Sequence, residues 1–375
     1  MNLFFFASDA KALSSLRSSI TESKKRGFET VEISSNTTRL GRDYKLKYDG
    51  ECVDKVFCGS INANLPFRPD WLIVNRERWD PESSIIKDFK KSFNCKVALI
   101  EPNAWLWGNC EAMLECHSRN RFIDLVDVFF CHSTHSEQLQ KLLGFKGNVV
   151  VSGNPKYDLN LKVPEDETER VKAKYQIDES KENVLLFSLI NSDRREINKI
   201  FKDMVKDKSK SFFYKPYPGE PFEKVFEKDF NPFFLENCKP ILEENDIWPL
   251  FNLCGTHAGS FSSIIHASLL LSKKFINLFR QRQGRGGPFW CGVDFQQQAM
   301  DRGKAQMWMN TLGFNSHNEF RSFVLNYPSK EILNLNQKII NAFDYDKDLL
   351  ELFDDFNDSS ASSRVVNYLE HEAKK

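Results

Sequence analysis

Three runs of residues carry types and spacings suited to holding an anionic, phosphate-bearing ligand. Val149-Val150-Val151-Ser152-Gly153-Asn154-Pro155-Lys156-Tyr157-Asp158 is a β-branched run closed by a glycine and then a proline, which stops any regular element. Gly153, Asn154 and Lys156 are its candidate contacts, and a plain turn into a linker would use the same residues. Phe212-Phe213-Tyr214-Lys215-Pro216-Tyr217-Pro218-Gly219-Glu220 releases a cation from the carboxyl end of a strand into a rigid turn. Lys215, followed by Tyr217, therefore stands where a phosphate is met. In Gly255-Thr256-His257-Ala258-Gly259-Ser260-Phe261-Ser262-Ser263-Ile264-Ile265-His266 a strand ends in a turn of small residues that opens an apolar helix. Small side chains let a ligand approach backbone N–H groups, and a helix N-terminus favours an anion. His257, Gly259, Ser260, Ser262, Ser263 and His266 are the candidates of this turn, and Arg194 and Arg195 add two cations.

Metal chemistry is not expected. His132 and His135 are too loosely spaced for zinc without further ligands, and Cys110, Cys116 and His117 form no paired knuckle. Asp344-Tyr345-Asp346-Lys347-Asp348 lies in a helical pattern and reads as a solvated acidic face. Nine cysteines without a CxxC do not make a disulfide framework, so a reduced, cytoplasmic protein is expected. Lys+Arg and Asp+Glu both total 52, which leaves no global field for nucleic acid. No apolar run approaches the length of a membrane span, so membrane contact is expected to be peripheral at most. The opening Met1-Asn2-Leu3-Phe4-Phe5-Phe6-Ala7 reads as a strand, not a signal peptide.

The elements that must position these residues alternate along 375 residues, a length that favours two domains. Strands are predicted at Leu3–Ala7, Val31–Ser34, Val53–Cys58, Trp71–Val74, Val97–Ile100, Val126–Cys131 and Val149–Val151. Helices are predicted at Ala10–Arg26, Ser84–Phe93 and Ser136–Leu143. Short continuous apolar runs of this kind are strands buried on both faces of a parallel sheet. The stretch 159–181 is charged and reads as a linker. A second alternation follows, with strands at Val184–Ile190, Phe212–Tyr214, Leu253–Gly255 and Phe275–Leu278 and helices at Arg195–Lys206 and Ser262–Leu271. The class is α/β, with two Rossmann-like, doubly wound domains at 1–158 and 182–328. The tail, 329–375, is helical in pattern and is expected to pack back across the domains. Two such domains facing across a cleft bind ligands at the carboxyl ends of their strands.

Taken in order, the three motifs resemble the GT-B superfamily of nucleotide-sugar glycosyltransferases, over roughly residues 95 to 280. Family versions read approximately GNPKYD, then strand-KPHPGE, then SSxxxEALLLGKP. The nearest branches are bacterial capsule and surface-polysaccharide enzymes: Kdo-type transferases, and CDP-glycerol polyol-phosphate transferases beside them. Non-hydrolysing UDP-N-acetylglucosamine 2-epimerases share the scaffold, and Ser192-Asp193-Arg194-Arg195-Glu196 is similar to their HRREN. This chain departs from the pattern at Tyr217, where the polyol-phosphate branch has histidine. It departs again at Ala267, where a ribose-holding glutamate is usual, and at Lys274, where the corner proline is missing.

The resemblance implies sugar transfer from a nucleotide-sugar donor to a glycan or lipid-linked saccharide, with no cofactor and no metal. The alternatives are CDP-glycerol-type polyol-phosphate transfer and 2-epimerase-like chemistry. Transfer needs a base for the acceptor proton and positive groups for the leaving diphosphate. Glu101 ends the strand Lys96–Ile100 and is the first candidate base; capping of a turn is its plainer role. Asp9 follows the first strand and is the second, although a helix N-cap is expected at that position. Asn103, Trp105, Trp107 and Asn109 follow Glu101 and are suited to stacking on a sugar and bonding its hydroxyls.

Overall fold

A computed structural model of the chain describes residues 1–7, 10–35, 43–48, 51–57, 65–75, 80–101, 122–142, 145–160, 162–187, 200–216, 237–241, 243, 246–259, 264–277, 315–316, 318–319, 354–356 and 358–375. The elements run β1 (Asn2–Ala7), α1 (Ala10–Lys25), β2 (Glu29–Ser35), β3 (Asp43–Tyr48), β4 (Glu51–Phe57), β5 (Trp71–Val74), α2 (Asp80–Phe93), β6 (Lys96–Ile100) and β7 (Val128–Cys131). They continue through α3 (Thr134–Leu142), β8 (Asn148–Val151), α4 (Lys156–Asn160), α5 (Glu165–Tyr175), β9 (Glu182–Phe187), β10 (Lys210–Lys215) and β11 (Cys238–Pro240). The last are α6 (Ile247–Leu253), β12 (Thr256–Gly259), α7 (Ile264–Leu270), β13 (Lys274–Asn277) and α8 (Ala361–Ala373). They fall into two compact units: Met1–Leu159 with Phe289–Lys330 and Glu351–Lys375, and Asn160–Pro288 with Glu331–Leu350.

The first unit is built on an eight-stranded sheet of order β4-β3-β2-β1-β5-β6-β7-β8. From β2 through β8 the neighbours are parallel, and β1 lies between β2 and β5, so the chain winds outward both ways from β1. Alternate side chains of Asn2–Ala7 point to opposite faces, and both faces are covered. Leu3 and Phe5 pack with Trp71, Ile73, Ala98 and Phe130 beneath Leu16 and Ile20 of α1 and Val365 and Leu369 of α8. Phe4, on the other face, meets Phe89 of α2 edge-on at 5.8 Å. Burial on both sides is why these strands read as unbroken apolar runs.

The sheet also contains a strand that the sequence reading lacks. β3 pairs antiparallel with both β2 and β4, which makes a hairpin on an otherwise parallel sheet. Its sequence, Asp43-Tyr44-Lys45-Leu46-Lys47-Tyr48, alternates polar with apolar, and it lacks the continuous apolar run that marks the parallel strands.

The second unit has a parallel five-stranded sheet of order β11-β10-β9-β12-β13, with β9 at its centre. Val184, Leu186, Phe201, Phe212, Tyr214 and Ala258 form a core on it. The strand predicted at Leu253–Gly255 begins instead at Thr256, because Ile247–Leu253 is a helix. Pro249 sits in its first turn, where a missing N–H breaks no bond. The charged stretch 159–181 carries α5, whose acidic first turn and basic last turn suit the helix dipole and whose Val171 and Tyr175 are buried.

Candidate functional site

In the first unit the residues that directly follow β5, β6, β7 and β8 are Asn75, Glu101, His132 and Ser152. All four are polar, and none is more than 1% exposed. Each apolar strand therefore ends on a buried hydrogen-bonding group at the edge where doubly wound sheets bind ligands. Asn75 donates its amide to the Ala12 carbonyl at 2.7 Å, which ties the end of β5 to α1.

Glu101 is the most heavily engaged of the four. Its amide donates to Phe130 O at 2.9 Å, which extends the β6–β7 ladder by one residue. Its Oε2 accepts the His132 backbone N–H at 2.9 Å, and its Oε1 accepts the Ser136 hydroxyl at 2.8 Å. The carboxylate thus caps the turn from β7 into α3. Ser133 assists by accepting the Ser136 amide at 3.3 Å, as a serine at a helix N-cap does.

His132 returns the contact, since its Nε2 lies 2.8 Å from Glu101 O. A carbonyl only accepts, so Nε2 carries the proton and Nδ1 carries the lone pair. Burial pushes the imidazole down to about 3, and the ring is neutral. His132 and Ser136 were not among the sequence candidates. The signal that identifies them is topological: β6 and β7 are adjacent, so residues directly after each must meet.

The Gly153–Asp158 run turns out to grip the chain's own C-terminal segment. Gly153 has φ +78°, and an added Cβ would stand 2.9 Å from Asp354 Oδ1 and 3.0 Å from Arg364 Nη2. The Asn154 amide donates to Asp354 Oδ2 at 3.1 Å, and its side-chain oxygen accepts the Lys156 amide at 3.1 Å, opening α4. Asp158 accepts the Ala361 and Ser362 amides at 3.2 and 2.6 Å and the Ser362 hydroxyl at 2.5 Å, so it caps α8 from outside the helix. Burial raises the Asp158 carboxyl above its usual range even against these bonds. Arg364 donates to Ser152 O at 2.7 Å and forks onto Asp358 at 2.7 and 3.0 Å. Lys156 is half-buried and lies 5.4 Å from the centre of the Tyr157 ring.

In the second unit Lys215 and Gly259 come to one sheet edge. Lys215 pairs in register with Phe187 at the end of β9, and Gly259 pairs with Asn277 at the end of β13. Gly259 also sits against Phe187, where an added Cβ would approach that residue's Cβ to 3.1 Å. A side chain there would crowd Phe187, so the glycine suits packing as well as a ligand. This edge includes the switch between β9 and β12, from which the strand order departs in both directions.

His257 is fully buried with both ring nitrogens engaged: Nδ1 lies 2.7 Å from Ser268 Oγ, and Nε2 lies 3.1 Å from Phe251 O. Nε2 again donates, and burial pushes the ring down to about 3. The imidazole therefore ties β12 to α6 and α7 beneath the edge. His266 is likewise buried, on α7. Asp9, Asn103, Trp105, Trp107, Asn109, Arg194, Arg195, Tyr217, Ser260, Ser262 and Ser263 lie outside the described residues.

Among the described residues no group of three His, Cys, Asp or Glu side chains is placed to hold a metal ion. No described helix is long and apolar enough to cross a membrane. Burial raises the thiols of Cys131, Cys238 and Cys254, and that of Cys95 to about 11, so none of these four is an activated nucleophile.

No protein-family model and no curated protein sequence matches the chain. Solved structures do. The UDP co-structure of S. aureus MnaA superposes with a TM-score of 0.61 at 12% identity, over 100% of this chain and 97% of that one. The UDP-GlcNAc 2-epimerase from Neisseria meningitidis bound to UDP-GlcNAc gives 0.58 at 13% identity, over 99% and 100%. The wall teichoic acid polymerase TagF gives 0.53 at 11% identity, over 99% and 89%. With two doubly wound α/β units, the chain has the GT-B fold.

Proposed function

We propose that this chain is a GT-B enzyme of nucleotide-sugar chemistry, a glycosyltransferase that moves a sugar from a nucleotide-sugar donor to a glycan or lipid-linked saccharide acceptor. We place it in the cytoplasm, acting in surface-polysaccharide synthesis without a metal. The observation that carries the reading is the likeness along almost the whole of both chains to structures of proteins bound to UDP or UDP-GlcNAc.

In this reading the second unit takes the donor. Lys215 neutralises the leaving diphosphate, and the turn from Gly259 through Ser260, Ser262 and Ser263 offers amides and hydroxyls to it. Arg194 and Arg195 add positive charge, Tyr217 flanks the phosphate, and His257 and His266 support the turn from below. The first unit takes the acceptor. Glu101 accepts the acceptor's hydroxyl proton. Asp9 orients the acceptor, while Asn103, Trp105, Trp107 and Asn109 bind its sugar. Gly153 and Asn154 contribute indirectly, through their contacts with Asp354 and its neighbours, and Lys156 by opening α4 beside them.

A second reading, epimerisation of UDP-GlcNAc at C2, draws on the TM-scores of structures named as UDP-GlcNAc 2-epimerases, 0.55 to 0.59 against 0.53 to 0.55 for TagF. CDP-glycerol-type transfer is the third, and Tyr217 in place of histidine weighs against it.

A thermal-shift screen against UDP, CDP, CMP and GDP, with and without magnesium, tests the reading. A nucleotide at about 100 times its Kd adds about 2.7 kcal/mol, a shift of a few degrees. A shift from UDP without magnesium is expected, and no shift from any nucleotide overturns the donor site. Proton NMR of UDP-GlcNAc incubated with the protein then separates the readings: transfer or hydrolysis releases UDP, whereas epimerisation yields a C2 epimer and leaves the UDP attached.

A further inference from the structure

We propose that His132 is a positioning residue for Glu101, holding the backbone and the carboxylate of that residue in one fixed arrangement during turnover. The inference deepens the proposed transfer and rests on the reading of Glu101 as proton acceptor.

The geometry is a closed clamp between two adjacent strand ends. His132 donates its amide to Glu101 Oε2 and its Nε2–H to Glu101 O, at 2.9 and 2.8 Å. The Glu101 amide returns to Phe130 O, two residues before His132. Ser136 holds the other carboxylate oxygen from the first turn of α3. Rotating the Glu101 side chain breaks two of these bonds, and shifting its backbone breaks the other two. A side chain held this way loses little further freedom when a substrate arrives, which is the preorganisation that proton transfer needs.

The choice of histidine has a second consequence. His132 Nδ1 lies 3.7 Å from Glu101 Oε2, and both side chains are almost wholly buried. A lysine or arginine so placed would form an ion pair with the carboxylate and depress its basicity. Burial keeps this ring uncharged, so it supplies the positioning donor without adding a positive charge beside the base.

The test uses the full chain with UDP-GlcNAc as the probe substrate and UDP release or epimer formation as the readout. His132→Phe keeps the ring's shape and loses the donor. It is expected to lower kcat about 10- to 100-fold with KM unchanged within about twofold. His132→Gln places an amide N–H near the Nε2 position and is expected to restore kcat to within about fivefold of the parent. His132→Asn falls short of the carbonyl and is expected to behave as the Phe variant does. Ser136→Ala, which leaves the turn's backbone donors in place, supplies an independent loss in kcat should the Phe variant fail to fold.

A Phe variant with undiminished kcat overturns the inference, as does equal loss in the Gln and Asn variants or a loss confined to KM. If the parent protein consumes no UDP-GlcNAc, or Glu101→Gln is as active as the parent, the functional reading falls first and takes the positioning role with it. That outcome is recognisable because it is read on the parent and on Glu101→Gln, before any variant of residue 132 is compared.

Discussion

Asp246 is fully buried, and its carboxylate is met by Arg170 at 2.7 Å, Lys174 at 2.6 Å and the Tyr175 hydroxyl at 2.8 Å. Burial alone would raise its carboxyl, but the three donors outweigh that and lower it. Replacing Asp246 with Ala removes three hydrogen bonds at the junction of α5 and α6, one of them from the buried Tyr175 hydroxyl, and urea unfolding is expected to show a loss of about 1–3 kcal/mol. The folded carboxyl titrates below the unfolded one, so this stabilisation is complete above the unfolded value of 3.8 and fades as pH falls through the folded value. His257 acts at higher pH. Its folded value of about 3 lies below the unfolded 6.5, so the unfolded chain binds the extra proton between those values and stability falls with falling pH across that window. His257→Gln is expected to flatten the urea stability profile from pH 6.5 to 4 by up to about 1.4 kcal/mol per pH unit. Glu101 and Lys215 were legible in the sequence because each ends an apolar strand with a charge. The duty of His257 was not, because a histidine bonded to Phe251 O and Ser268 Oγ looks, in one dimension, like a histidine offered to a ligand.

Among the elements, α8 carries the most consequence for the first unit. It lays Val365 and Leu369 on the sheet beside α1, and Arg26 of the α1 end reaches Ser363 and Glu370 on it. Leu369 is fully buried among residues of α1 and the sheet. Leu369→Ala is expected to lower the stability of this unit by about 2–5 kcal/mol in denaturant titration. It should also speed hydrogen exchange along α8 ahead of α2 on the opposite face. Most of the parallel strands were readable one by one because burial on both faces leaves an unbroken apolar signature, whereas β12 was displaced onto the end of α6. β3 alternates, and β11 is only three residues with a proline, so both escape that signature. The Gly153–Asp158 run was recognisable as special, but its partners at 354–364 lie about two hundred residues downstream, and local pattern says nothing about which distant segment a turn will hold.

At the scale of the whole molecule, the two units each have their own sheet and core, an organisation in which a single two-state transition commonly fails. Scanning calorimetry is therefore expected to resolve two endotherms. Leu369→Ala and Asp246→Ala identify them, since each removes a contact internal to one unit. Lys215 and Gly259, the proposed donor contacts, belong to the unit that holds Asp246. UDP at about 100 times its Kd should then raise the endotherm that Asp246→Ala lowers, by the few degrees that about 2.7 kcal/mol provides, and leave the other nearly still. Movement of only the endotherm lowered by Leu369→Ala would transfer nucleotide binding to the unit of Glu101 and His132, and the assignment of donor and acceptor to the two units would have to be exchanged. Equal movement of both would mean that UDP is gripped by residues of each unit, and Lys215 could no longer be treated as the principal contact.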